Sequence, residues 1–158
     1  MVRSAPSTVP AVTGCAFCEI VAGARPAHMV LDDDAAIAFL DIRPLFPGHT
    51  LVVPREHHVT LADLPDGTIG DFFGRVKLVA RAVEEALGAE GTFVAQNNRV
   101  SQSVPHLHVH VVPRTKGDGL RGFFWPRSKY ASEDEAAAIA TRLSRSIATL
   151  DGQGSSVT

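Results

Sequence analysis

Three histidines at alternate positions are the first feature of this sequence that could do chemistry. They are His106, His108 and His110 in the stretch SQSVPHLHVHVVP, and aliphatic residues fill the positions between them. Alternating character and β-branched residues predict a β-strand. Because successive side chains of a strand point to opposite faces, the three imidazoles would share one face, spaced roughly 6–7 Å apart. The aliphatic face would then contact the core, beneath a helix.

The histidine face must contact something polar, which means water, a metal or an anion. A neutral imidazole can attack phosphorus, and a neighbouring imidazolium can neutralise oxygens or protonate a leaving group. The pattern therefore favours a phosphate site. The alternative is a half-exposed strand with no chemical role.

The wider sequence resembles a known family. HLHVHVV is similar to the His-φ-His-φ-His-φ-φ signature of the histidine triad family of nucleotide hydrolases and transferases, where φ is an apolar residue. The segment FCEIVAGARPAHMVLDDDAAIAFLDIRPLFPGHTLVVPREH resembles the N-terminal half of the same family, and residues 15–114 carry the likeness. The resemblance implies attack on the α-phosphate of a purine nucleotide ester, anhydride or phosphoramidate, with release of a nucleoside monophosphate.

The same resemblance assigns roles to polar residues. His108 would be the nucleophile that forms a nucleotidyl-histidine intermediate, with its other ring nitrogen bound to a main-chain carbonyl. His110 would contact phosphate oxygens or assist the leaving group. Ser103 and Gln102 would lie near the phosphates, and His49, in PGHT, would support the triad.

The resemblance also predicts a nucleoside pocket. Asp41 would hold the ribose hydroxyls, since a carboxylate can accept from both. The purine would lie between Phe17, Ile20, Phe39 and Ile42, for which plain core packing is the alternative. Either Asn97 or Asn98 would face the phosphates. The loop NNRVSQSVPH that follows is shorter than the usual family loop and has Arg99 and Ser101 where small residues are common.

Two cysteines, Cys15 and Cys18, form a Cys-x-x-Cys pair. Without a secretory signal, this spacing predicts either a metal site or a redox pair, and no βαβ pattern surrounds it to support the redox reading. Resemblance to a bacterial branch of the family implies a structural zinc completed by His57 and His106, with His58 as a rival to His57. The alternative is two buried reduced thiols.

Composition narrows the class of protein. The chain has 158 residues and a formal net charge of -2, so it offers no large basic field for duplex nucleic acid. It contains no run of 18 apolar residues that would suggest a membrane span, and its first residues lack the apolar core of a secretory signal. We expect a cytoplasmic protein with a flexible arm at 1–13, one domain at 14–150 and a flexible tail at 151–158.

Local patterns predict an α+β domain with a histidine-triad-like antiparallel sheet of about five strands. The strands would be HMVLDD, AAIAFLDI, HTLVVPRE, TFVAQNN and the histidine stretch. Apolar spacing predicts one long helix from about Pro65 to Leu87, ended by Gly88. SEDE resembles a capping box that opens a C-terminal helix to about Leu150, and the resemblance adds a short N-terminal helix. A homodimer is expected, because such a sheet would leave an edge unpaired.

A C-terminal extension begins at about residue 115. Basic residues interleave with aromatic ones in it: Lys116, Arg121, Phe123, Phe124, Trp125, Arg127, Lys129 and Tyr130. We expect residues 119–130 to pack against the partner subunit or the nucleotide cleft.

Two other functions stay open, a nucleotide-binding regulatory module with weak turnover and a metal-storage or metal-sensing protein. Asp41 and Ser103 argue against the second, since metal binding needs neither.

Overall fold

The computed structural model of the chain describes residues 12–120 and 128–154. The chain divides into two compact units, Met1–Asp118 and Gly119–Thr158, which are described separately. Within the described ranges, no helix combines the length and apolarity that crossing a bilayer requires. The single domain predicted for 14–150 stays a prediction.

The first unit contains a five-stranded sheet in the order β1-β2-β3-β5-β4, with every neighbouring pair antiparallel. The strands are β1 Met29–Asp32, β2 Ile37–Leu40, β3 Thr50–Val53, β4 Gly91–Ala95 and β5 Val109–Arg114. The helices are α1 Ala16–Val21, α2 Asp66–Leu87 and, in the second unit, α3 Glu133–Gly154. The predicted α+β class and five-stranded antiparallel sheet are confirmed.

Helix α2 covers one face of the sheet. Its buried residues recur at helical spacing and pack in one cluster with the aliphatic residues between the histidines: Phe72, Val76, Val79 and Val83 with Leu107, Val109 and Val111. The helix ends at Gly88, whose left-handed conformation has φ of 65°, as the sequence predicts. This packing holds the histidine segment from behind, so its imidazoles point to the other face.

Helix α1 packs on the opposite face of the sheet. Its Phe17 and Cys18 join the alternate residues of β2 and β3, which are Ile37, Phe39, Leu51 and Val53. The N-cap residue of this helix is Cys15, whose sulfur accepts a hydrogen bond from the Cys18 amide over 3.4 Å. The cysteine pair therefore lies at the N-terminus of a short helix and faces the histidines.

The histidine strand begins later than its sequence pattern predicts. Regular pairing starts at Val109, so His106 and His108 precede β5. The reason is that a loop distant in sequence takes the place of a neighbouring strand: the Leu107 amide donates to the His58 carbonyl over 2.6 Å. The alternation of faces is kept, since the rings of His106 and His108 both contact Phe17.

Three predictions concern the ends and the extension. Helix α3 runs to Gly154, four residues beyond the end that the sequence indicates, so the predicted tail at 151–158 starts as helix. Residues 1–11 of the predicted arm lie outside the described residues. So do residues 121–127, which include most of the aromatic stretch predicted to contact a partner or the cleft.

Candidate functional site

His108 is held in one tautomer by a main-chain contact. The ring is buried, and its Nδ1–H donates to the carbonyl oxygen of His106 over 2.7 Å. A carbonyl can only accept, so the proton is on Nδ1 and the neutral ring keeps a lone pair on Nε2. The edge of Phe17 lies against the ring, with centroids 5.2 Å apart. His108 therefore presents a nucleophilic nitrogen to the cleft.

His110 contacts a second histidine across the sheet. Its Nδ1 lies 2.9 Å from Nε2 of His49, and Nδ1 of His49 accepts the Leu45 amide over 3.1 Å. The pKa of His110 is lowered to about 4, chiefly by burial and also by the nearby His108 and His49, against the opposite effect of Asp41. Burial also lowers the pKa of His49, again against Asp41. Both rings are therefore neutral near pH 7.

His108 and His110 line a cavity of about 480 Å³. Of the residues predicted to bind the nucleotide, the following line it: Phe17, Ile20, Phe39, Asp41, Ile42, Ser103, His108 and His110. Phe17 and Phe39 meet edge to face with centroids 5.3 Å apart, whereas Ile42 is 89% exposed and lies at the rim. The lining of the cavity thus combines apolar side chains with two imidazoles and the carboxylate of Asp41.

Three polar side chains of the loop before the histidines form hydrogen bonds to main-chain groups. Asn98 accepts the Leu61 amide over 2.9 Å, and Gln102 donates to the Val59 carbonyl over 2.6 Å. Asn97 donates to the Ser101 carbonyl over 3.3 Å. None of these three asparagine and glutamine side chains is among the residues that line the cavity. A phosphate role for them stays a prediction, and Ser103 is the loop residue best placed for it.

A second cluster joins the cysteines to two histidines. The ligand atoms of Cys15, Cys18, His57 and His106 all lie within 4.8 Å of one another. Nδ1 of His57 is 3.2 Å from the sulfur of Cys18, and Nδ1 of His106 lies 3.5 Å from Cys15 and 3.6 Å from Cys18. His58 instead approaches Glu56, at 3.4 Å. His57, the first of the two rivals, is therefore the histidine that the fold brings to the thiols.

This geometry fits a tetrahedral zinc ion. Zinc bonds of about 2.3 Å to sulfur and about 2.1 Å to nitrogen place each nitrogen about 3.6 Å from each sulfur. The observed separations of 3.2–3.6 Å agree with that tetrahedron edge. Nε2–H of His106 donates to the Pro54 carbonyl over 3.0 Å, which leaves Nδ1 free to bind metal. Burial raises the pKa of the Cys18 thiol, so a cation would be needed to hold it as thiolate.

A third group, Asp41, His49 and His110, also places its ligand atoms within 4.8 Å of one another, but its chemistry does not suit a metal. Coordination through Nε2 of His49 would require the proton to move to Nδ1. That nitrogen already accepts the Leu45 amide, so two donors would face each other. The tautomers therefore separate the two clusters: the thiols and their histidines fit zinc, and this group does not.

Sequence reasoning missed several contributors to the site. Arg25 and Arg43 line the cavity, and Arg43 also donates its amide to Asp41 over 2.8 Å. Arg43 lies two residues after Asp41 in the sequence, so its place beside the cavity could have been predicted. Leu45 and Pro54 act through main-chain atoms, for which side-chain type gives no signal.

Comparison with known proteins places this geometry in a family. Residues 22–117 match the family described as HIT domain. An uncharacterized HIT-like protein of Methanocaldococcus jannaschii is 42% identical over 107 residues, covering 66% of this chain and 82% of that protein. An adenosine 5'-monophosphoramidase of Schizosaccharomyces pombe is 36% identical over 135 residues, covering 84% of this chain and 98% of that one.

Solved structures agree with this fold. A protein from Streptococcus mutans superposes with a TM-score of 0.76 at 33% identity, over 86% of this chain and 87% of that one. A zinc-bound histidine triad family protein from Mycobacterium smegmatis superposes with a TM-score of 0.65 at 38% identity, over 84% of this chain and 97% of that one. Similarity thus extends beyond the histidine signature to most of the chain.

Proposed function

This chain belongs to the HIT domain family, and from that premise we propose that it is a nucleotide hydrolase or nucleotidyl transferase. Its substrates would be purine nucleotide esters, anhydrides or phosphoramidates, cleaved at the α-phosphate. The observation that carries the proposal is the orientation of His108, which donates through Nδ1 to the His106 carbonyl and so offers the Nε2 lone pair to the cavity.

The reaction follows from this arrangement in two displacements. The Nε2 lone pair of His108 forms a bond to the α-phosphorus while the bond to the leaving group breaks, and the leaving group takes that electron pair. Water then attacks phosphorus, the bond to nitrogen breaks and a nucleoside monophosphate leaves. Each step is easier than one direct displacement by water. His110 and Ser103, which line the same cavity, donate hydrogen bonds to phosphate oxygens.

Binding of the nucleoside uses the rest of the cavity. The purine stacks against the apolar side chains of the lining, among them Phe17 and Phe39, and Asp41 accepts hydrogen bonds from the ribose hydroxyls. The phosphoramidase name of the Schizosaccharomyces pombe relative supports an adenosine phosphoramidate as the first substrate to test.

We further propose that zinc, held by Cys15, Cys18, His57 and His106, has a structural role. When bound, the ion would connect helix α1 and the loop after β3 to the segment that carries the nucleophile. His106 contributes twice, because its ring belongs to this cluster and its carbonyl orients His108. A ring committed to metal cannot also act as an acid or base, which leaves His108 and His110 for the reaction.

The test is the variant His108→Ala with adenosine 5'-phosphoramidate as substrate. We expect release of AMP to fall by at least about a thousand-fold, because loss of a nucleophile removes the covalent route. The dissociation constant for AMP should change little, since the apolar lining of the cavity and Asp41 are intact. His28→Ala, at an exposed position, is the control. Equal turnover in His108→Ala and the parent protein would overturn the proposal.

A further inference from the structure

The Leu45 amide, His49 and His110 form a hydrogen-bonded row whose direction is fixed at one end. The Leu45 N–H lies 3.1 Å from Nδ1 of His49, and Nε2 of His49 lies 2.9 Å from Nδ1 of His110. A main-chain amide can only donate, so it acts as a fixed starting point. The direction of each later bond follows from it.

The amide requires Nδ1 of His49 to accept, so the proton of a neutral His49 is on Nε2. That Nε2–H then donates to Nδ1 of His110. His110 in turn must carry its own proton on Nε2, the ring nitrogen that remains for the cavity it lines. Buried, neutral rings support this reading, because both histidines have a lowered pKa.

The two histidines of the cavity therefore present opposite functions. His108 offers a lone pair on Nε2, because its proton is held on Nδ1 by the His106 carbonyl. His110 offers an N–H on Nε2, because its Nδ1 accepts from His49. One ring can attack phosphorus while the other donates to an oxygen that gains negative charge. If the hydrogen bonds of the row ran in the opposite direction, both His108 and His110 would present a lone pair to the cavity and neither would present a donor.

We propose that His49 is a positioning residue that keeps His110 in its donor tautomer, with the direction set by the Leu45 main-chain amide. This inference rests on the proposed nucleotidyl transfer and assigns the origin of its hydrogen-bond donor. His49 is well suited to the role because it is 3% exposed and cannot exchange its partners for water. Asp41, whose Oδ2 lies 3.8 Å from Nε2 of His49, also favours a proton on that nitrogen.

Two substitutions at position 49 separate this role from simple packing. His49→Gln keeps an acceptor for the Leu45 amide and a donor for His110, whereas His49→Leu fills the space and keeps neither. The direct measurement is ¹⁵N NMR of histidine-labelled, zinc-loaded protein, since protonated and unprotonated ring nitrogens differ in chemical shift. kcat and KM for adenosine 5'-phosphoramidate are measured in parallel.

We expect His110 to be protonated on Nε2 in the parent protein and in His49→Gln, and to become a mixture of tautomers in His49→Leu. Mutation of the hydrogen-bond partners of metal-bound histidines typically costs about 10–100-fold in affinity or activity. We expect kcat to fall by a similar factor in His49→Leu, while KM changes less. His49→Gln should recover most of the loss.

A His110 protonated on Nδ1 in the parent protein would overturn the inference, even if His49→Leu failed to fold. So would a folded His49→Leu variant with the parent's tautomer and kcat. An absence of turnover in the parent protein with the expected tautomer present would instead count against the proposed function alone.

Discussion

His106 and His108 are two residues apart, yet their rings use opposite nitrogens. His106 donates from Nε2 to the Pro54 carbonyl and turns Nδ1 to the thiols. His108 donates from Nδ1 to the His106 carbonyl and keeps Nε2 for the cavity. Side-chain type is the same in both, so main-chain acceptors decide which histidine can bind metal and which can attack phosphorus.

The zinc assignment predicts the effect of changing single ligands. The parent protein should bind about one zinc per chain, because the Cys15 cluster has four ligands with tetrahedral spacing and the Asp41 group has the wrong tautomers. His57→Ala should lower the zinc content well below that value after dialysis against a weak chelator. His58→Ala, the adjacent control, should retain zinc. Elemental analysis decides between them, and loss of zinc only in His58→Ala would contradict the ligand set.

At the scale of elements, the turn between β2 and β3 positions His49. Gly48 has φ of 96°, and a Cβ there would overlap the Leu87 side chain and lie 3.5 Å from Pro113. The left-handed backbone conformation therefore favours glycine, whereas the Leu87 side chain is 55% exposed and can rotate away from an added Cβ. The sequence PGHT places this glycine directly before the histidine that contacts His110.

Gly48→Ala should lower the free energy of unfolding by about 1–3 kcal/mol, because alanine is strained at the positive φ of this position. Gly74→Ala is the matched control. Gly74 is exposed in the interior of α2 with open space around its Cα, so alanine should stabilise that helix by about 0.5–1 kcal/mol. Urea denaturation of both variants measures the difference. A Gly48→Ala protein as stable as the parent would refute the backbone strain at this position.

Elements with a strong pattern could be predicted from sequence, and elements defined by irregular backbone could not. The apolar spacing of α2 and its final Gly88 predict that helix to within one residue at its start. The start of β5 was predicted three residues too early, because the Leu107 amide pairs with the His58 carbonyl. Such a partner depends on how a distant loop folds back, which local residue types do not encode.

The site shows the same division. The family signature led to predictions for His108, Asp41 and the cysteine cluster, because each depends on residue types that the sequence shows directly. The structure brings the four residues of the cysteine cluster together, and the chemical roles stay predictions. The loop 97–104 was harder, since Arg99 and Ser101 adopt φ of 67° and 59° where the sequence offers no glycine. This backbone turns Asn98 and Gln102 toward main-chain groups. The Leu45 amide had no signal, because every residue except proline carries an amide.

At the scale of the whole molecule, the two sheet edges differ. β1 has a register shift between Met29 and Leu31 and ends in Asp32, features that discourage further pairing. β4 reads GTFVA, has no charged residue and exposes Val94. The predicted homodimer stays a prediction, and β4 is the edge of the described sheet that suits a second copy.

Buried neutral histidines predict loss of stability in acid. The pKa of His110 is lowered from 6.5 to about 4 in the folded protein, through burial and the nearby His108 and His49 against Asp41. Between those values the unfolded chain binds a proton that the folded chain does not. The contribution of His110 to the free energy of unfolding is therefore fully present above about pH 6.5 and is lost as the pH drops toward 4.

His110→Asn should reduce this acid sensitivity. The free energy of unfolding, measured in urea at about pH 7.5 and about pH 5, should fall less in the variant than in the parent. The comparison uses the difference between the two pH values, so a constant effect of the substitution cancels. A steeper loss in the variant would mean that His110 is not held neutral in the folded state.

Rapid quenching of the protein with adenosine 5'-phosphoramidate, followed by intact-mass and peptide mass spectrometry, would detect the proposed covalent intermediate itself. We expect a transient adduct of one adenosine monophosphoryl group, located on His108 and absent from His108→Ala. His110→Asn should still form it, because the nucleophile is unchanged. Turnover with no adduct at any quench time, or an adduct on a residue other than His108, would contradict the proposed mechanism.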